Sequence, residues 1–290
     1  MLKKFFMLII CAAIFFAGVT VEAEVQWYWL DSNDKYSKYF NADSVTVTKK
    51  VRNTDGQEIA TEIEAWTKTT YSYEGAAETI KNYGIANVIK DPAKLSYSLA
   101  LLRINPQNRT LQSVREDFYD ANNNVIWSKG EDRVIEINSQ RFDEEFYCAI
   151  IDEVFRMGER DRKRDSKNRW LELWTHTDKN GLTTTLSADT TTMRIKGSNL
   201  VLWEWQVTKN SAGKATEIRF MKKAVNLTQG TERIDSGQIW TPNNSWQELR
   251  DEYGGGYRMI KTDEPDYKGL IQLRVYVKNN PNWVTRYSIE

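Results

Sequence analysis

The stretch WLDSNDKYSKYFNADSVTV (29–47), continued by EIEAWTK (62–68), recurs in altered form as WTHTDKNGLTTTLSADTTTM (174–193), continued by VLWEWQV (201–207). Ala42-Asp43-Ser44 answers Ala188-Asp189-Thr190, Trp66 answers Trp205, and Asn123 to Trp127 answers Ser236 to Trp240. The spacing between matched residues shrinks along the chain, so loops of unequal length join one repeated set of core elements. A period this long marks a domain-sized duplication.

Around that stretch the pattern is mostly one of strands. Ile59, Thr61, Ile63, Ala65 and Thr67 share one face at period two, and Asn53-Thr54-Asp55-Gly56 before them supplies the positive φ of a tight hairpin. Helical spacing breaks in twice. Ala76, Ile80 and Tyr83 share a stripe ahead of Gly84, an excursion with no counterpart after Trp205. Phe142, Phe146, Ile150 and Val154 share another, on a helix opened by Ser139 or Asp143 and reaching to Met157, which needs a sheet to cover. In the second copy Lys196-Gly197-Ser198 and Asp235-Ser236-Gly237 read as turns, and Ser245 to Tyr253 as a short helix. Beyond Pro265 two signals compete: Pro265-Asp266 opens a helix, whereas Ile271, Leu273, Val275 and Val277 alternate as in a strand. The repeat favours the helix.

The fold class is therefore α+β: two tandem domains, each a twisted antiparallel sheet of about five or six strands with a terminal helix packed on it. Residues 24–157 form the first domain, the charged run GERDRKRDSKN (158–168) a linker, and residues 169–290 a second, divergent copy.

Residues 1–23 have the pattern of a signal peptide: Lys3 and Lys4, an apolar run from Phe5 to Gly18, then Val21-Glu22-Ala23 as a cleavage site. No second apolar run follows, so no integral membrane segment is expected after signal removal, and the address is exported, periplasmic or cell-surface. Lys plus Arg number 40 and Asp plus Glu number 40, which leaves no basic field for nucleic acid. Of the two cysteines, Cys11 belongs to the apolar run, and Cys148 lies among Phe146, Tyr147, Ile150 and Ile151, where burial is expected.

The order of elements resembles the surface-adhesin protein E family of exported bacterial proteins. The resemblance is carried by a tryptophan strand, the Tyr39-Phe40 to Ala42-Asp43-Ser44 corner and the strand ending at Trp66. It continues through Asn105-Pro106-Gln107-Asn108-Arg109-Thr110, the strand ending Phe118-Tyr119-Asp120, and Val125-Ile126-Trp127-Ser128 before a terminal helix. It spans Trp27 to Met157, and more weakly Trp174 to Val277. It implies a twisted antiparallel sheet against a helix and binding of host matrix or plasma proteins. Family members commonly pair a strand cysteine with one on the terminal helix; here only Cys148 stands, with none around Leu102–Asn105.

Catalytic patterns are sparse. His176 is the single histidine, and neither metal-ligand spacing, nor a nucleophile elbow, nor a phosphate loop occurs, so no cofactor and no enzyme activity are expected. Glu116-Asp117 and Glu131-Asp132 lie on strands, where neighbours point to opposite faces. The tryptophans are more informative. Trp29, Trp66, Trp127, Trp174, Trp205 and Trp240 recur in both copies and read as core; Trp27, Trp170, Trp203, Trp246 and Trp283 fall outside the pairs and are the candidate binding residues. The expectation is a non-enzymatic binding or adhesin-like envelope protein whose partner is a host or envelope protein or a glycan. Two alternatives remain: a structural envelope protein without a dedicated ligand, and a secreted glycan hydrolase, which needs two carboxylates facing each other in a cleft.

Overall fold

A computed structural model describes residues 25–156, 166–249 and 254–289. The signal-peptide reading of residues 1–23 and most of the 158–168 linker lie outside the described residues.

The first unit runs β1 (Tyr28–Ser32), β2 (Tyr36–Phe40), β3 (Thr46–Arg52), β4 (Glu58–Tyr71), helix α1 (Tyr73–Tyr83), β5 (Tyr97–Asn105), β6 (Thr110–Tyr119), β7 (Val125–Lys129), β8 (Ile135–Glu136) and helix α2 (Glu144–Phe155). After the short α3 (Ser166–Arg169), the second unit runs β9 (Trp170–Thr177), β10 (Thr183–Asp189), β11 (Arg194–Lys196), β12 (Asn199–Lys209), β13 (Ala215–Asn226), β14 (Thr231–Thr241), β15 (Ser245–Glu248), β16 (Arg258–Met259), α4 (Pro265–Asn279) and α5 (Pro281–Val284). The first sheet has the order β1-β2-β4-β5-β6-β7, with β3 added on β4 and β8 on β6. The second has the order β9-β10-β12-β13-β14-β15, with β11 on β12 and β16 on β14. Every pairing is antiparallel, and the two topologies match strand for strand. The chain is thus two tandem antiparallel-sheet domains with helices, and each sheet holds eight strands.

Hydrogen bonds correct the residue pairing between the copies. Asn41 Oδ1 accepts from Asp43 N, Ser44 Oγ donates to Asn41 O, and Ser44 Oγ accepts from Trp66 N. In the second unit Asp189 Oδ1 accepts from Thr191 N, Thr192 Oγ1 donates to Asp189 O, and Thr192 Oγ1 accepts from Trp203 N. Asp189 therefore stands where Asn41 stands, and Trp66 answers Trp203 rather than Trp205. A two-residue slip keeps a strand residue on the same face, which is why letter matching alone misses it. Trp127 likewise answers Gln247 on β15, not Trp240, which belongs to β14 and pairs with Trp246.

Two local expectations fail in the second unit. Ser245–Glu248 is a strand pairing with β14, so the expected helix from Ser245 does not form; residues 250–253 lie outside the described residues. Asp235-Ser236-Gly237 is not a turn but a bulged part of β14, opposite Lys222/Lys223. Gly237 is needed there because a Cβ would meet Phe220 O at 2.7 Å. Pro265–Asn279 is helical, as the repeat requires.

Each sheet buries one face under its terminal helix. In the first, Ile63, Leu102, Ile104 and Leu111 meet Phe146, Tyr147, Ile150 and Ile151 of α2; in the second, Leu186, Leu202, Met221 and Val225 meet Leu270 and Leu273 of α4. Cys148 lies buried in the first core. Tyr287, beyond α5, also enters that core and packs edge-on against Phe155, so the end of the chain closes onto the first unit.

Candidate binding pocket

The excursion peculiar to the first copy builds the site. Ser72 caps α1 by accepting from Gly75 N, Glu74 lies in its first turn, and Gly84 at φ 67° ends it. Gly75 lets the helix start directly on the β1–β2 turn, where a Cβ would collide with the Lys35 carbonyl oxygen. Ile80 of α1 joins Ile85, Ile89, Leu95 and Phe118 in a small core of its own, separate from the one under α2. Two helices thus cover two parts of one sheet face, and a pocket of about 350 Å³ opens between them. Thr67, Thr69, Ala100, Ser113 and Glu116 contribute from the sheet, Thr79, Asn82 and Tyr83 from α1, and Phe142 and Asp143 from the start of α2.

Four carboxyl groups line this space: Glu78 and Asp132 are ion-paired with Lys35 and Lys129, and Glu116 and Asp143 are not. Glu116 Oε1 accepts from Ser98 Oγ at 2.9 Å and Oε2 from Tyr83 Oη at 2.7 Å; Tyr71 Oη lies 2.7 Å from Ser98 Oγ. Burial raises the Glu116 pKa, an effect the two hydroxyl donors oppose and the charge of Asp143 reinforces. Burial also raises the pKa of Asp143, against the pull of Lys38 and Arg141. Asp143 stands at the N-cap position of α2, yet its side chain makes no capping bond. Lys38 is engaged elsewhere: Nζ donates to Phe142 O at 2.7 Å and to Glu145 Oε2 at 2.9 Å, and sits 3.8 Å from the Phe142 ring centre. Asp117, by contrast, turns to the other sheet face, where it meets Ser128 and Arg115, as strand alternation requires.

The second copy fills the equivalent place. By strand register, Thr67, Ala100, Leu102 and Leu111 become Glu204, Met221, Lys223 and Glu232, and Glu116 becomes Gly237. Lys223 Nζ lies 3.0 Å from Glu204 Oε2 and 3.1 Å from Glu232 Oε2, and Arg258 ties Glu232 to Glu264 and Asp266. Only about 10 Å³ remains there.

The tryptophans distribute differently from their sequence reading. Trp29, read as core, is 60% exposed on an edge strand, and Trp66, Trp127, Trp174, Trp205 and Trp240 are half-buried. Trp66, Trp205 and Trp240 lie on sheet faces turned away from the terminal helices, which is why pairing between copies did not imply core. Of the candidate binding set, Trp203 is 8% exposed and Trp283 is 4% exposed. Trp203 Nε1 donates to Glu136 Oε1 and Trp283 Nε1 to Thr190 O, so both are structural here. Trp246 is 42% exposed; Trp27 and Trp170 are half-buried. Trp203 and Trp246 come together indirectly. Trp203 stacks on Phe220 at 4.5 Å, and Trp205 contacts both Phe220 at 5.6 Å and Trp246 at 6.0 Å. Trp205 and Trp246 belong to strands separated by β13 and β14, so the sheet curls to bring their rings together. Trp27 lies near Lys68, Trp170 near Arg169, and Trp283 against Arg286, and none of these three joins that cluster.

His176 is exposed on β9. Among the described residues no group of three or more His, Cys, Asp or Glu could hold a metal ion, and no helix is long and apolar enough to cross a membrane. The pocket carboxylates are a candidate feature that sequence reading misses. Glu116 was visible only as half of an adjacent strand pair, and nothing local said that α1 would roof it. No protein-family model matches this chain, and no curated protein sequence matches it.

Proposed function

We propose that this is an exported, non-enzymatic binding protein of the cell envelope, in which the first unit holds a ligand and the second is its scaffold. The carrying observation is the contrast between copies: one sheet-face position is an open pocket in the first unit and is filled by ion-paired side chains in the second. Duplication followed by filling of one copy and opening of the other is the pattern of a divided role. The basic, apolar and small-residue segments of residues 1–23 support export, and the resemblance to surface-adhesin protein E proteins supports an envelope role. Exposed Trp29 and Trp246 offer rigid contact area to a larger partner, a host or envelope protein or a glycan.

The test is a thermal-shift screen of the protein against small polar ligands, run beside Ala100→Met, which carries the second copy's residue at that position. Ligands that stabilise the wild type but not Ala100→Met support the reading. A screen in which every stabilising ligand acts equally on both proteins sinks it.

A second reading, a glycan hydrolase, is favoured by one observation: Glu116 and Asp143 line the same cavity. Release of reducing sugar from cell-wall or matrix glycans, abolished by Glu116→Gln, would establish it in place of passive binding.

A further inference from the structure

We propose that the first-unit pocket takes an organic cation, a primary amine or a guanidinium, with Asp143 and Glu116 as its counter-charges and aromatic rings as its walls. The inference rests on the pocket being a ligand site and adds the chemistry of the ligand.

The argument begins with which acids in this region are already paired. Glu145 has Lys38, Asp132 has Lys129 at 2.5 Å, Glu64 has Arg103 at 2.8 Å, and Glu78 has Lys35. Glu116 and Asp143 have no ion-pair partner among the described residues. Glu116 receives only two hydroxyl hydrogens, and Asp143 receives no side-chain bond. The cations that act on them most are spent: Lys38 on Glu145 and the Phe142 carbonyl, Lys129 on Asp132. Arg133 lines the pocket at its mouth and Arg141 lies beside it, but both are exposed to water, where their charge is screened. The balance inside the cavity is therefore negative and unmatched. A desolvated carboxyl without a counter-ion is costly, and burial holds both pKa values up. An entering ammonium or guanidinium supplies the missing charge and donates charge-assisted hydrogen bonds to both groups.

The walls suit the same guest. Tyr36 packs edge-on against Phe142 at 5.0 Å and against Tyr71 at 6.0 Å, and Tyr83 closes the α1 side. Aromatic faces attract cations, as Lys38 over Phe142 already shows in this protein. An anion would meet the unpaired Glu116 and Asp143 and is disfavoured. The volume of about 350 Å³ is that of a small-ligand pocket and holds an amine of modest size.

The experiment is isothermal titration calorimetry of the whole protein at about 0.15 M salt, where surface attraction is screened. The probes are agmatine, tetramethylammonium, and an uncharged N-acetylglucosamine disaccharide. The proteins are wild type, Asp143→Asn, Glu116→Gln and Ala100→Met, each checked by near-ultraviolet circular dichroism for an intact core. The expected result is agmatine binding by the wild type, weakened about tenfold or more in each carboxyl variant and lost in Ala100→Met. Agmatine binding that survives both carboxyl variants overturns the proposal, because it then reflects unspecific charge attraction. Disaccharide binding lost in Ala100→Met but kept in Asp143→Asn overturns the cation assignment and leaves the pocket reading standing. Absence of binding by all three probes overturns the cation assignment, and the wider ligand screen then decides the pocket reading separately. If only Asp143→Asn loses its folded signal, Glu116→Gln carries the test alone.

Discussion

Arg169 Nη2 lies 2.8 Å from Glu144 Oε1, which joins the second unit to the first helix-capped core through one buried ion pair. The same Nη2 reaches Asp189 Oδ2 at 2.9 Å, and Arg109 Nη2 reaches Glu144 Oε1 at 3.0 Å. Asp189 is also the residue that organises the Thr190-Thr191-Thr192 corner, so the junction is continuous with a repeated structural motif. Arg109 adds bonds to Ile137 O and Thr191 O, and Arg194 to Pro106 O and the Tyr147 hydroxyl. Buried pairs of this kind cost so much desolvation that they add little net stability; breaking one is expensive because it strands a charge. Glu144→Gln leaves Arg109 and Arg169 with less compensation inside the protein. The expected loss is about 3–5 kcal/mol in urea unfolding. A loss below about 1 kcal/mol would mean that water reaches this junction and that the two units are not locked together.

Glu204 predicts a pH dependence. It is buried, and burial, reinforced by the charge of Glu232 and opposed by Lys223, pushes its pKa up from 4.5 to about 7. Between those values the folded protein holds a proton that the unfolded chain has released. Stability is therefore highest on the acid side and is lost as pH rises toward 7, by about 2–3 kcal/mol between pH 5 and pH 8 from this group. Glu116 and Asp143, also raised, add slopes of the same sign. Glu204→Gln should flatten the pH profile of the urea midpoint over that window. An unchanged profile would assign the slope to the pocket carboxyls alone.

Gly75 decides whether the pocket exists. A methyl group there would press on the Lys35 carbonyl, which already accepts from Ser72 N, so the start of α1 must lift away from the β1–β2 turn. Overpacking of this kind costs about 1–3 kcal/mol. Gly75→Ala should lower the melting temperature and abolish ligand stabilisation, while Gly84→Ala, which strains only the far end of the helix, should lower the melting temperature and spare binding.

How much of this was legible beforehand follows from the kind of signal each feature leaves. The duplicated sheet was legible because alternation and tight-turn glycines are local, and α1 because its stripe and its Gly84 stop sit within one helix length. Arg109 illustrates the limit. It sits at φ 52° where the second copy has Gly230 at φ 68°, so a bulky residue holds a left-handed position for the sake of its buried guanidinium. The Asn105-Pro106-Gln107-Asn108-Arg109-Thr110 stretch stands out in the sequence, but its bonds to residues of both units depend on tertiary packing that no spacing encodes. The pocket is hidden for the same reason. Asp143 and Glu116 belong to different elements, and only the gap between two helices brings them to one cavity. Reading recurrent tryptophans as core misplaces Trp29, because recurrence reports a shared position, not the face it occupies.

The exposed tryptophans give the last prediction. Trp29 and Trp246 are the two tryptophans in the exposed class among the described residues, at 60% and 42%. Iodide, a charged quencher that stays in water, should therefore act mainly on them, and Trp29→Phe with Trp246→Phe should remove most of the quenchable emission. Trp203→Phe and Trp283→Phe should leave quenching nearly unchanged but lower stability, because the first removes an indole donor to Glu136 across the two units and the second an indole donor to the Thr190 carbonyl within the second unit. Loss of the Trp283 bond leaves the buried Thr190 carbonyl unpaired and costs about 1–3 kcal/mol, whereas Glu136 is part-exposed and keeps Lys222, so Trp203→Phe costs less. The two readouts separate two roles for the same residue type. If Trp203→Phe removes as much quenchable signal as Trp246→Phe, the aromatic face of the second sheet opens to solvent, and the Glu136 contact does not close it. If Trp246→Phe changes nothing, that ring is covered in solution by another molecule, which would make it the first contact to map on a partner.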